Sequence, residues 1–141
     1  MLTSLRLLLV LLICIPAVSC AHTLQGNICS REDAIKAESE AAYLRDWQSL
    51  QESYKRFRHC DDGSIAEGYS TSVVRLLKNQ WNRLDELYLL TQADTEFKQF
   101  VLRHINETMS RDDQQIISTN AREKCPSGLE EFCRMIYQAT N

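Results

Sequence analysis

A single proline, Pro126, and four glycines are all that interrupt the chain after Ala21, while Leu, Ala, Glu, Gln, Arg and Lys are abundant. Helix formers without breakers leave little room for sheet, so the fold class expected is all-α. About 120 residues follow Ala21, enough to bury one core and not two.

The apolar periodicity sorts these residues into about five helices. Ser30, with Asp33 three residues on, is read as the cap of a long first helix. Ile35, Ala41, Leu44, Trp47, Leu50, Tyr54 and Phe57 form its stripe, and it ends near His59. Asp61-Asp62-Gly63 stops it. Ser64 and Glu67 read as a capping box for a second helix carrying Ile65, Tyr69, Val73, Leu76, Leu77, Trp81, Leu84 and Leu87, with Gly68 loosening its start and a break near Asn79 or Asn82. A third helix starts at Asp94 or Thr95 and carries Phe97, Phe100, Val101, His104 and Ile105. Ser110 and Asp113 start a fourth with Ile116, Ile117 and Ala121. After a corner at Pro126 to Gly128, Leu129, Phe132, Ile136 and Tyr137 give a fifth. The expected fold is an irregular or orthogonal bundle with at least one disulfide.

Residues 1–21 have the order of an export signal: one positive charge by Arg6, an apolar run from Leu7 to Val18, then small and polar residues. A dozen apolar residues fall short of the roughly 20 that span a bilayer as a helix. Two processing routes stay open. Ala17-Val18-Ser19-Cys20 has the form of a lipobox that would lipidate Cys20, and small residues also suit ordinary cleavage after Ser19 or Ala21. Either route leads to the periplasm, to the periplasmic face of a membrane through a lipid anchor, or to secretion in a cell without a periplasm. Residues 22–141 are expected to form the domain, with a loose tether to about residue 30.

Outside the cytosol an even cysteine count reads as disulfides. Cys29, Cys60, Cys125 and Cys133 remain after the signal, allowing three connectivities. A straight helix from Ser30 to His59 would hold its ends about 45 Å apart, out of reach of a Cys29–Cys60 bond. The eight steps from Cys125 to Cys133 span at most roughly 27 Å, so the crossed pairings fail on the same premise. Two intramolecular bonds would require the segment before about Ala41 to fold back. The expectation is instead an unpaired Cys29 in the tether and one bridge shared among Cys60, Cys125 and Cys133, with Cys125–Cys133 the most local choice.

With 16 basic and 19 acidic side chains the chain lacks the basic surface that nucleic acid requires. His59, Cys60, Asp61, Asp62 and Glu67 form the densest polar cluster, but their spacing fits neither a zinc pattern nor a calcium loop, and no metal or cofactor is expected. His104 sits at helical spacing among apolar residues, as a core histidine does, although Glu107 three residues on could make an acid–base pair. Ser64, Ser70, Ser72 and Ser110 lack a glycine-flanked elbow. Asn106-Glu107-Thr108 is a glycosylation acceptor in a eukaryotic setting only. Arginines and tyrosines from Tyr54 to Arg75 bring interface-type side chains toward the Asp61 to Ser72 corner.

At this corner Asp61-Asp62-Gly63-Ser64-Ile65-Ala66, between two helices, resembles the Asp-x-Gly-Ser-x-Ala segment of amidase immunity proteins of the type VI secretion system. The chain departs from that family in having Cys60 at the end of the first helical segment and no cysteine within it. The resemblance implies a small exported helical protein, dimeric in some members, that blocks a peptidoglycan amidase. The expected role is therefore a non-enzymatic inhibitor or immunity protein with a protein partner such as a secreted toxin. Its binding residues would be Asp61, Asp62, Gly63, Ser64, Tyr69 and Arg75, with no catalytic residue. The alternatives are a small hydrolase or metal-dependent enzyme centred on His59, Asp61, Asp62 and His104, and a structural envelope lipoprotein.

Overall fold

A computed structural model describes residues 28–105 and 109–141. The export signal, the lipidation candidate Cys20 and the Asn106-Glu107-Thr108 acceptor lie outside those residues. Within them the chain is all-α, with seven helices where five were expected: α1 (Arg31–Ala41), α2 (Trp47–Phe57), α3 (Gly63–Asn79), α4 (Leu84–Ala93), α5 (Thr95–Arg103), α6 (Arg111–Glu123) and α7 (Glu130–Ala139). Short 3-10 turns at Arg58–Cys60 and Trp81–Arg83 close α2 and join α3 to α4. No described helix is long and apolar enough to cross a membrane.

The two additional helices come from breaks inside the first and second expected segments. The second segment divides at Gln80 to Arg83, beside the expected asparagines. The first divides between Ala42 and Asp46, where the apolar stripe runs on undisturbed through Leu44 and Trp47. Asp46 caps α2, accepting from the Ser49 amide at 2.7 Å, while its own amide donates to the Ser49 hydroxyl at 3.3 Å. The carbonyls freed at the end of α1 are taken up by side chains of α3. Ser72 donates to the Ala41 carbonyl at 2.6 Å, and Arg75 donates to those of Ala42 and Leu44 at 2.8 and 2.5 Å. Gln80 donates to the Arg45 carbonyl at 2.7 Å. A helix end with the carbonyls of Ala41, Ala42, Leu44 and Arg45 satisfied from across the fold can stop where local sequence would let it continue.

The break turns α1 and α2 into a hairpin, and this overturns the expected cysteine pattern. Cys29 at the start of α1 meets Cys60 at the end of α2, their Cα atoms 4.9 Å apart, and the two are bonded. Cys125 is bonded to Cys133. The exclusion of this pairing assumed a straight helix, and Cys29 is not unpaired; the tether expected before it lies, up to residue 27, outside the described residues.

The sides of the hairpin close on α3 through small residues. A Cβ on Gly68 would lie 2.9 Å from the Ala41 Cβ and 3.1 Å from the Ala42 nitrogen, so Gly68 serves close approach of α1 to α3 and not the loose helix start expected of it. The same geometry explains why Ile35 is 59 % exposed, against expectation: Ala37 and Ala41 form the inward stripe of α1. Ile116 is likewise exposed, with Ile117 turned inward. The other expected core residues of α2 to α6 are buried around Trp47, Tyr69, Phe97 and Phe100, and α7 closes the bundle with Phe132 and Ile136.

Candidate functional site

The corner between the 3-10 turn at Cys60 and the start of α3 is set by Asp62 and Gly63. Asp62 has extended backbone and accepts from the Gly63 amide at 2.8 Å, which makes it the cap of α3. Gly63 has φ +52°, a left-handed conformation that glycine adopts without penalty. Ser64 was expected to be the cap, but it lies inside the first turn and donates to Glu38 of α1 at 2.8 Å. Asp62, Gly63, Ser64 and Glu67 are exposed along this edge.

Beneath them Asp61 points inward, its side chain only 8 % exposed. Its Oδ2 accepts from His104 Nε2 at 3.1 Å and from Arg103 Nη2 at 2.9 Å. Burial pushes the Asp61 carboxyl up, but the bonds and charge of His104 and Arg103 outweigh it and hold the group below its usual range. An ionised carboxylate only accepts, so His104 Nε2 carries hydrogen. In the neutral ring, Nδ1 then accepts from the Ser70 hydroxyl 2.9 Å away.

Asp61, His104 and Ser70 thus line up as in a nucleophilic triad, yet the roles of the two ring nitrogens are reversed. Ser70 is fully buried and His104 is 1 % exposed, so in this conformation no substrate reaches the hydroxyl. The array can brace: it ties the corner to α3 and to the end of α5 through residues 34 to 43 positions apart. Phe100 packs on His104 with ring centroids 4.4 Å apart and on Tyr69 at 5.0 Å, placing an aromatic layer under the brace.

His59 stands apart from this array and meets Asp33 of α1 at 3.3 Å. Of the centre expected from His59, Asp61, Asp62 and His104, only Asp61 and His104 are hydrogen-bonded to each other; His59 pairs with Asp33 and Asp62 caps α3. Among the described residues no group of three or more His, Cys, Asp or Glu side chains is arranged to hold a metal ion.

Two expected contact residues are elsewhere. Tyr69 is fully buried, its hydroxyl 2.9 Å from Ser53, and burial pushes its pKa up to about 12. It offers no surface to a partner. Arg75 lies three turns along α3, where its guanidinium holds the α1–α2 turn and lines a separate cleft with Tyr43, Arg45, Asn79 and Gln80. In their place the structure brings Arg103, Glu67 and Ala66 to the cleft lined by Asp61, Asp62, Gly63 and His104. Arg103 is 42 residues from Asp61, and nothing local in the sequence points to the pairing.

Comparison with protein-family models, with curated proteins and with solved structures finds no match to this chain.

Proposed function

We propose that this chain is a non-enzymatic binding protein acting outside the cytoplasm, an inhibitor or immunity factor that occupies another protein's site with the corner at Asp61 to Glu67. The observation that carries this reading is the contrast between the corner's surface and its support. Asp62, Gly63, Ser64 and Glu67 face solvent, while the residues with catalytic chemistry, Asp61, His104 and Ser70, are committed beneath them to a buried brace. The Cys29–Cys60 bond adjoins the same turn. A surface fixed this way loses little conformational entropy on association, which is what an inhibitor that must fit a preformed site needs.

The resemblance of Asp61-Asp62-Gly63-Ser64-Ile65-Ala66 to the type VI amidase immunity segment supports a secreted toxin or peptidoglycan enzyme as the partner. The two disulfides are consistent with an oxidising, extracytoplasmic location. Lipidation at Cys20 would add a membrane anchor, and a homodimer would follow the members of that family that pair. The test is capture from envelope extract by the exported protein, tagged after Asn141, beside a bait carrying Asp62→Arg. One near-stoichiometric envelope enzyme or toxin, lost with the altered bait, is the expected result. No specific capture from cells that also express the neighbouring genes would refute the reading.

A further inference from the structure

We infer that the cleft beside Asp61 receives one cationic side chain, a guanidinium or ammonium group presented by a protein partner. The inference rests on the binding reading above and specifies the chemistry of contact.

The first support is an unmet acceptor. Both described bonds to the Asp61 carboxylate fall on Oδ2, from His104 and Arg103. Oδ1 is buried and has no hydrogen-bond partner among the described residues, although the side chain lines the cleft and is 8 % exposed. A buried acceptor left without a donor is costly, more so when it carries charge, so a ligand that brings a donor there recovers that cost on binding.

The second support is the charge around it. Asp61, Asp62 and Glu67 line the cleft as three carboxylates, with Arg103 the one arginine or lysine among the lining residues. An anion would be repelled. A neutral donor would satisfy Oδ1 but leave Asp62 and Glu67 without a counter-charge, whereas a cation answers all three. Access is available on two sides. Gly63 has no Cβ, and a Cβ built there would meet nothing within 4 Å, so that wall is low. Oδ1 itself is closed to solvent, and an incoming guanidinium reaches the carboxylate by taking the place of Arg103, which is 57 % exposed and touches Asp61 through one hydrogen bond that the newcomer replaces in kind.

The adjoining cleft of Cys29, Arg58 and His59 shares Asp61, Asp62 and Gly63 but carries Arg58 and lacks Glu67, so its charge is less negative, and the remaining clefts are further from the combination. The Tyr43–Gln80 cleft and the cleft of Arg111, Gln114, Arg122 and Tyr137 contain no buried side-chain atom lacking a partner.

The test is an NMR titration of the processed, disulfide-bonded protein with acetyl-arginine amide, and in parallel with acetyl-citrulline amide, which has nearly the same shape and no charge. Saturable shifts at the amides of Asp61 to Glu67 and of Arg103 and His104 are expected with the arginine compound, with at least tenfold weaker binding of the citrulline one. Asp61→Asn removes a brace residue and can disturb the fold. The deciding variant is therefore the surface double substitution Asp62→Asn with Glu67→Gln, which is expected to weaken arginine binding severalfold while leaving the spectrum elsewhere unchanged.

Equal response to both compounds, shifts without saturation, or an unaltered affinity in the double variant would overturn the inference. If those results came with a partner still captured and still lost on Asp62→Arg, the binding reading would stand and only the cation inference would fall. Saturable arginine binding with no captured partner would overturn the partner-borne cation together with the binding reading.

Discussion

Removing the Cys29–Cys60 bond is expected to destabilise the protein more than removing Cys125–Cys133. The bonds close segments with sequence separations of 31 and 8 residues. Chain entropy then gives about 3.7 kcal/mol for the first and about 2.5 kcal/mol for the second at 25 °C. Small domains are stable by only about 5–15 kcal/mol, so either loss is large. Cys60 and Cys133 are almost fully buried, and serine there would bury an unpaired hydroxyl, so the paired substitutions are to alanine. With a urea dependence of about 1.5 kcal/mol per M, the midpoint falls by about 2.5 M for Cys29→Ala/Cys60→Ala and by about 1.7 M for Cys125→Ala/Cys133→Ala. Tryptophan fluorescence reads the transition, since Trp47 and Trp81 are both buried. The reverse order, or no loss from the first pair, would refute the view that the α1–α2 hairpin is held closed at its open end by this bond.

Three further perturbations address the packing and the brace. Gly68→Ala gains about 1 kcal/mol of helix propensity but drives a methyl into the Ala41–Ala42 backbone, an overpacking cost of about 1–3 kcal/mol, so urea melts should show a net loss of up to about 2 kcal/mol. The carboxyl of Asp61 is held below its usual range in the fold. Its stabilising effect is thus complete above the unfolded value of about 3.9 and disappears as pH falls through the lower folded value. Asp61→Asn should cost about 1–3 kcal/mol at pH 7, and the gap to wild type in denaturant melts should narrow below about pH 4. Tyr69 ionises only near pH 12, whereas an unfolded tyrosine does so near 10, so its contribution to stability falls between those values. In an ultraviolet titration Tyr69→Phe should remove a late-ionising component, and leaving Ser53 unpaired should cost about 1 kcal/mol.

What could be read from the sequence was whatever is written locally. Ser30, Asp94 and Ser110 cap their helices as their spacing suggests, each accepting from the amide three residues on. The core stripes of α2 to α5 follow from period alone. The break at Ala42 to Asp46 was hidden because the apolar period crosses it in phase. The groups that stabilise it, Ser72, Arg75 and Gln80, are more than thirty residues away. Asp46 followed by Ser49 was the one local sign of it. That single break decides the disulfide map, because it brings Cys29 back to Cys60.

The same limit governed the corner. Asp61, Asp62, Gly63 and Ser64 stood out as a polar turn, but sequence could not tell which of two adjacent aspartates faces inward. Asp61 is buried against His104, while Asp62 is exposed as the helix cap. Tyr69 and Arg75 were grouped with the corner by nearness along α3. Helix geometry sends Tyr69 into the core and leaves Arg75 about 18 Å farther along the axis from Gly63.

The most direct test of the corner as a contact surface is site-specific photo-crosslinking in the native envelope, with the probe at Glu67 in one strain and at Gln115 on exposed α6 in another. One discrete adduct to a single envelope protein from position 67, and none from position 115, is the predicted result. No adduct from position 67, or the same adducts from both, would contradict it.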